Sequence, residues 1–301
     1  MIAAAVVLLS AIAVHLAMQT EDLHQLGRLS AIVLAGTVAL LFGSHLAQNE
    51  SILLPLRSHL PQLGFWELFL VRTGGLVFGS ALPVAGGVAV RLAYLRRRGL
   101  TYADFGHATV LSNVLALVSA ACVALPATAA LWTVTGAPPG TALGLVAAVL
   151  ACGAGALAAL RVLPRLAHHP RLARWLPSGG DAAVSRPVIH RVFWVCVLRH
   201  VTSFLAFGWL YAALSESPGG FLAGGLVYAL TTPVRMIHLT PGNVGVNEWA
   251  VAVAGRALAF DLTTGLLVGG VFRMASLVAQ GLGVLVGWAL SGFRPPSAPS
   301  A

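Results

Sequence analysis

The chain has no lysine: all 18 of its basic residues are arginines, set against nine acids. Charge of either sign is scarce. Only 9% of the 301 residues are charged and 58% are hydrophobic, whereas a soluble protein carries about 25% charged residues. With a mean hydropathy of +0.87, this excludes a water-soluble globular protein and defines a polytopic membrane protein. The net charge of +9 therefore does not predict a nucleic-acid partner. In a membrane protein arginines first report topology and anionic headgroups. Cysteine is also rare. Cys122, Cys152 and Cys196 lie in apolar stretches with no CxxC spacing, which fits small buried residues rather than a disulfide or zinc framework. The ten histidines show no HxxxH pair, and there is no P-loop. No metal, cofactor or ATP hydrolysis is expected. The N-terminus lacks the basic region of a cleaved signal peptide, so Met1–Met18 is expected to remain as a first membrane helix.

The apolar runs predict an all-α, polytopic bundle. About seven spans are long enough to cross a bilayer: Met1–Met18, Leu29–Ala47, His107–Val134, Thr141–Leu163, Val192–Leu214, Gly219–Leu239 and Leu262–Leu290. Phe105–Leu160 runs for 56 residues without one Asp, Glu, Lys or Arg, interrupted only by the turn residues of Thr135–Gly140. Gln48–Gly64 mixes polar and apolar residues around Pro55 and Pro61 and reads as an amphipathic segment on the membrane surface. No separate soluble domain is visible. Residues 1–291 form one membrane domain, and the tail 292–301, rich in Pro and Ser, is expected to be disordered. Arg96–Arg98 and the zone Arg161–Arg199, with seven arginines against Asp181 alone, fall on the same side of the predicted topology. The positive-inside rule makes that side cytoplasmic.

Two segments break the pattern. Leu82–Gly87 reads LPVAGG and Thr240–Ala250 reads TPGNVGVNEWA. Proline lacks an N–H, and glycine adopts angles that other residues resist, so a regular helix does not continue through either. Irregular backbone at membrane depth survives only when buried in protein or lining a wet cavity. Paired Gly/Pro breaks in the two halves of a transporter point to its substrate site. Phe65–Arg98 is thus expected to form two half-helices, re-entrant in the membrane, with one kinked span as the alternative. Charge collects near the breaks: Arg72 and Arg91 around the first, Arg235 and Glu248 around the second, and Arg273 on the next helix. Guanidinium forks match phosphate oxygens, and an intramembrane carboxylate marks a functional site by default. The candidate substrate-binding residues are Arg72, Gly86, Gly87, Arg91, Arg235, Gly242, Asn243, Gly245, Asn247, Glu248 and Arg273. Glu248 is expected either to orient an arginine or to take up a proton. No catalytic residue is assigned, because the acids are few and dispersed.

At these two motifs the chain resembles the lysylphosphatidylglycerol synthase transmembrane-region family, also called the flippase-like domain family. PGNVGVNE at Pro241–Glu248 is similar to its late PGGxGxxE signature, with Asn243 where a second glycine is usual. LPVAGGVAVR at Leu82–Arg91 is similar to its early break followed by an arginine. The resemblance covers residues 1–290. It implies a membrane domain of the bacterial or archaeal plasma membrane that moves a lipid with an anionic or modified polar headgroup between leaflets. The family's polar residue after the early motif is matched no better than by Asn113. Aminoacyl-lipid members carry a soluble synthase, which is not expected in these 301 residues. A lipid-headgroup transferase, a scaffold for a partner lipid-modifying enzyme, and a homo-oligomer stay open as alternatives or associations.

With the native cysteines replaced, single cysteines at Arg97 and Gly179 are expected to resist membrane-impermeant thiol reagents in intact cells. Ready labelling of both would reverse the orientation.

Overall fold

A computed structural model describes residues 25–81, 86–135, 147–155, 185–215, 219–236 and 243–292, together with Ser10, Ile12, Gly144, Ala158, Ser217 and Thr240. These residues are helical or in turns, with no strand among them. The helices are α1 (Ala31–Leu56), α2 (Phe65–Ala81), α3 (Gly86–Arg97), α4 (Tyr102–Thr135), α5 (Arg186–Ser215), α6 (Gly220–Met236), α7 (Val246–Ala257) and α8 (Leu262–Ser291); residues 147–155 are also helical. Two starts are capped as their residue types dictate. Ser30 Oγ accepts from Val33 N–H at 3.3 Å, and Asp261 Oδ2 accepts from Thr264 N–H at 3.1 Å.

Four of the described helices, α1, α4, α5 and α8, are long and apolar enough to cross a membrane. The expected count of about seven is not reached among the described residues. Most of Met1–Met18 and of Thr141–Leu163 and the end of Gly219–Leu239 lie outside them; the described part of the last, α6, has 17 residues. Gln48–Gly64 also departs from expectation. Instead of lying on the membrane surface, its first half continues α1 to Leu56, and Leu53 and Leu56 are fully buried. Its polar groups find partners inside: Asn49 Nδ2 donates to the Phe65 carbonyl at 3.0 Å, and Ser112 Oγ donates to the Ser51 carbonyl at 2.9 Å.

The two breaks divide two helical hairpins. In the first, Gly75 and Gly79 of α2 meet Gly87 of α3, while Glu67 near the start of α2 bonds Tyr94 and Arg98 at the end of α3. The contacts run antiparallel, which rules out a single kinked span. In the second, Gly224 of α6 and Gly255 of α7 both abut Tyr211, while Arg235 at the end of α6 is within electrostatic reach of Glu248 at the start of α7. This pair is antiparallel as well.

The hairpins open toward opposite ends of the bundle. One core joins the end of α1, the start of α2, the end of α3 and the start of α4 through Leu53, Leu56, Leu68, Leu95 and Phe105. Leu54 meets Val188 and Ile189 at the start of α5 there. Arg96–Arg98 and Arg186 therefore share one end, as the charge pattern predicts. The other end gathers Leu29, Val33, Leu214, Leu258 and Phe260. Helix α8 runs past both hairpins. Gly287 and Gly283 sit against Leu70 and Thr73 of α2, and Gly269 and Gly265 sit against Glu248 and Ala252 of α7. Outward faces are apolar, with Trp194, Leu198 and Trp209 on α5 and Val278, Leu285 and Trp288 on α8 exposed, while Thr37, Ser44, Ser119 and Ser203 are buried.

A Cβ on Gly87 would strike the Gly75 carbonyl, whereas one on Gly74 would meet nothing within 4 Å. Gly87→Ala is expected to destabilise the detergent-purified protein by about 1–3 kcal/mol, and Gly74→Ala to leave its melting temperature unchanged or slightly raised. Equal melting of the two variants would remove the close approach of α2 and α3 as a constraint.

Candidate functional site

The second break builds its own charge network. Asn243 takes a left-handed conformation, φ 53°, which its short polar side chain tolerates. Gly245 stands at φ 81°, where a side chain would be strained. Around them Thr240 Oγ1 donates to the Val244 carbonyl at 2.9 Å, and Asn243 N–H donates to the Thr240 carbonyl at 2.9 Å. Asn243 Nδ2 lies 3.5 Å from the carbonyls of Val234 and Arg235, at the end of α6. Helix α7 restarts at Val246. Glu248 reaches back from its first turn, and its Oε2 accepts the Gly245 N–H at 2.8 Å. A carboxylate suits this positive helix end.

Glu248 is 6% exposed and does not stand alone. Arg273 of α8 donates through Nε to Glu248 Oε1 and through Nη2 to Oε2 at 3.2 Å. The same Nη2 donates to the Asn243 carbonyl at 2.9 Å. A bidentate, charge-assisted pair thus fastens the turn to α8. Of the two roles expected for Glu248, the geometry displays the orientation of an arginine. Arg235 sits beside this pair but differs in surroundings. Its guanidinium carbon lies 4.7, 4.5 and 5.1 Å from the ring centres of Phe207, Tyr228 and Phe272, and Nη2 donates to Thr231 Oγ1 at 3.0 Å. Three ring faces stabilise a partly desolvated cation without neutralising it.

The first hairpin carries the second group. Arg72, 4% exposed, donates from Nη1 to the His45 carbonyl at 3.1 Å and from Nη2 to Gln48 Oε1. Arg91 lies over the Phe105 ring, 5.0 Å from its centre. The two arginines are within electrostatic reach of each other. Gly86 and Gly87 open α3, with Gly87 against Gly75. Asn247 is on α7, and its buried Oδ1 finds no hydrogen-bond partner among the described residues. Gly242 lies outside the described residues, as do Pro241 and Leu82–Ala85. Asn113 is exposed on α4, apart from both groups.

The structure therefore unites Arg235, Asn243, Gly245, Glu248 and Arg273, and separately Arg72 and Arg91. A residue absent from the candidates connects them. Arg199 is within electrostatic reach of Arg72 on one side and of Arg235 on the other. Counted with the basic zone although inside the predicted span Val192–Leu214, it stands about 20 Å along α5 from its start, at the level of the breaks. Its spacing inside an apolar run was the available signal. His45 and Gln48 were hidden for a related reason: a helix end drawn at Ala47 parted two residues on one face of α1.

The fold and charged interior define a multi-pass helical membrane protein whose two hairpins each pack against a shared long helix. The chain belongs to the family described as Lysylphosphatidylglycerol synthase TM region, whose model matches residues 1–283. That membership associates it with membrane lipids. No curated protein and no solved structure matches the chain.

Breaking a buried pair by removing one charge leaves its partner uncompensated, at a cost of about 3–5 kcal/mol. Glu248→Gln is expected to destabilise the protein by that order, and Arg273→Gln in the same background to recover part of the loss. Additive losses in the double variant would show that the two side chains are not energetically coupled.

Proposed function

We propose that this protein is a lipid transporter, moving a lipid with an anionic or modified polar headgroup between the leaflets of a plasma membrane. The observation that carries this is charge placement. Five arginines, Arg72, Arg91, Arg199, Arg235 and Arg273, surround the two breaks, with Glu248 as the carboxylate paired among them. Uncompensated cations inside a membrane bundle are costly, and a phosphate-bearing headgroup supplies the missing charge with matching geometry. The lipid's chains stay in the bilayer, against the exposed apolar faces of α5 and α8. Two hairpins opening toward opposite ends give each leaflet its own approach to the arginines. In this reading they are re-entrant in the membrane, and the Arg96–Arg98 end is cytoplasmic. The protein acts without a catalytic residue, cofactor or nucleic acid. A lipid-modifying enzyme in the same membrane would supply or consume its substrate.

In vesicles reconstituted with the purified protein, a fluorescent phosphatidylglycerol analogue in the inner leaflet is expected to become accessible to an external quencher faster than in protein-free vesicles. Arg91→Ala should abolish this gain while remaining folded. Arg91→Lys should restore it in part, since a point charge replaces a fork. No gain with the wild-type protein would remove the transport reading, and a new lipid product in the same vesicles would favour a transferase.

A further inference from the structure

Among the described residues, the arginines around the first hairpin differ from those around the second in having no carboxylate partner. At the second break Glu248 offsets Arg273. At the first, the charges that Arg72 senses are those of Arg199 and Arg91, both positive. The acid nearest in sequence, Glu67, is engaged by Tyr94 and Arg98 at the base of the hairpin. Three guanidiniums thus gather with only neutral partners, the His45 carbonyl, Gln48 Oε1 and the Phe105 ring.

Donors at this place also exceed acceptors. Arg91 Nε is fully buried and has no hydrogen-bond partner among the described residues. Arg72 Nη2 lies 3.3 Å from His45 Nδ1. An arginine only donates, so Nδ1 accepts and the ring proton of neutral His45 resides on Nε2. That Nε2–H is also fully buried and without a partner among the described residues. Arg199, half-buried on α5, adds a third group, its guanidinium without a hydrogen-bond partner among the described residues while its backbone carbonyl accepts from Ser44 Oγ and Thr202 Oγ1. Buried donors without acceptors are costly, as are cations without anions.

We propose that Arg72, Arg91, Arg199 and the His45 Nε2–H form a binding site for a phosphate monoester, a group with three terminal oxygens and close to two negative charges. This rests on the lipid-transport reading and sharpens it: the headgroup phosphate is terminal rather than a diester bridging to a further alcohol. A diester offers one charge and two free oxygens, leaving two of the three cations uncompensated. A monoester presents an oxygen to each of Arg91, His45 and Arg199 while Arg72 stays fixed by α1. Arg199 is the new specificity residue, supplied by α5 rather than by either break.

The full chain in detergent tests this with three probes: dioctanoyl phosphatidic acid, a monoester; dioctanoyl phosphatidylglycerol, a diester; and inorganic phosphate. The monoester lipid is expected to bind roughly tenfold more tightly than the diester, since a hydrogen bond to a charged group contributes on the order of 1.5–3 kcal/mol. That advantage should shrink between about pH 7.5 and about pH 5, as the monoester loses its second charge. Protonation of His45 on α1 or His200 on α5 in the same window would instead strengthen anion binding, so the sign identifies the phosphate. Arg199→Gln should bring monoester affinity down roughly tenfold, toward the diester value, with Arg199→Lys between. Equal wild-type affinity for both lipids, with transport of the diester intact, would overturn the monoester site and leave the transport reading standing. Binding of neither lipid would remove both. Inorganic phosphate binding as tightly as the lipid would overturn the lipid source, and unchanged monoester affinity in a folded Arg199→Gln would overturn the role of Arg199.

Discussion

The Glu248–Arg273 pair is the interaction on which the second half of the bundle depends. Asn243–Gly245 leaves regular helix where lipid offers no hydrogen bonds, so each polar group of the turn needs a protein partner. Glu248 takes the Gly245 N–H and both donors of Arg273, and Arg273 takes the Asn243 carbonyl. One carboxylate and one guanidinium thus satisfy the turn and fix its distance from α8. That distance explains the small residues on α8. Gly269 lies where a Cβ would be 3.1 Å from the Glu248 backbone, and Gly265 where it would be 2.5 Å from that of Ala252. The ion pair and the glycines are one device: without close approach the arginine could not span both the carboxylate and the carbonyl.

The remaining arginines are stabilised by different means, and the differences order their roles. Arg72 is held by neutral acceptors on α1, so it is positioned but not neutralised. Arg235 is surrounded by three aromatic rings, which lower the cost of desolvation while leaving its charge outwardly effective. Arg91 and Arg199 have least. A bundle that satisfied all five internally would need several more carboxylates. Their absence leaves a positive potential in a low-dielectric interior, where it attracts an anion far more strongly than at a wet surface.

Much of this was legible in the sequence, because the signals were local. The Pro/Gly/Asn composition of Thr240–Ala250 marks broken backbone whatever the tertiary context, and the arginines of Arg96–Arg98 and of Arg161–Arg191 mark one end in the charge pattern. What escaped was set by tertiary packing. Gln48 and Asn49 looked like a surface face, yet they are polar because they meet Arg72 and the Phe65 carbonyl. In a membrane protein the polar side of a helix can face inward, and no periodicity tells which side that is. Arg199 escaped for the same reason: it lies inside the predicted span Val192–Leu214 but was counted with the basic zone, and only its neighbours in the fold, Arg72 and Arg235, show its place.

The two hairpins are fastened unequally, and this bears on how a headgroup could pass between them. The second is secured at its turn by a buried ion pair with charge-assisted bonds. The first is secured at its base, where Glu67 meets Tyr94 and Arg98. Farther along, α2 and α3 meet through Gly75, Gly79 and Gly87, backbone against backbone. Such contacts are dispersive, each atom pair contributing about 0.1–0.2 kcal/mol, and they have no required direction. Sliding or parting of these glycine surfaces breaks no charged bond and exposes no carboxylate, whereas parting the second turn from α8 would strand both Glu248 and Arg273. Since Arg91 rides on α3 and Arg72 on α2, displacement within the first hairpin changes the spacing of two interior cations while Arg235 and Arg273 stay anchored. The asymmetry follows from where the buried Glu248–Arg273 pair was placed.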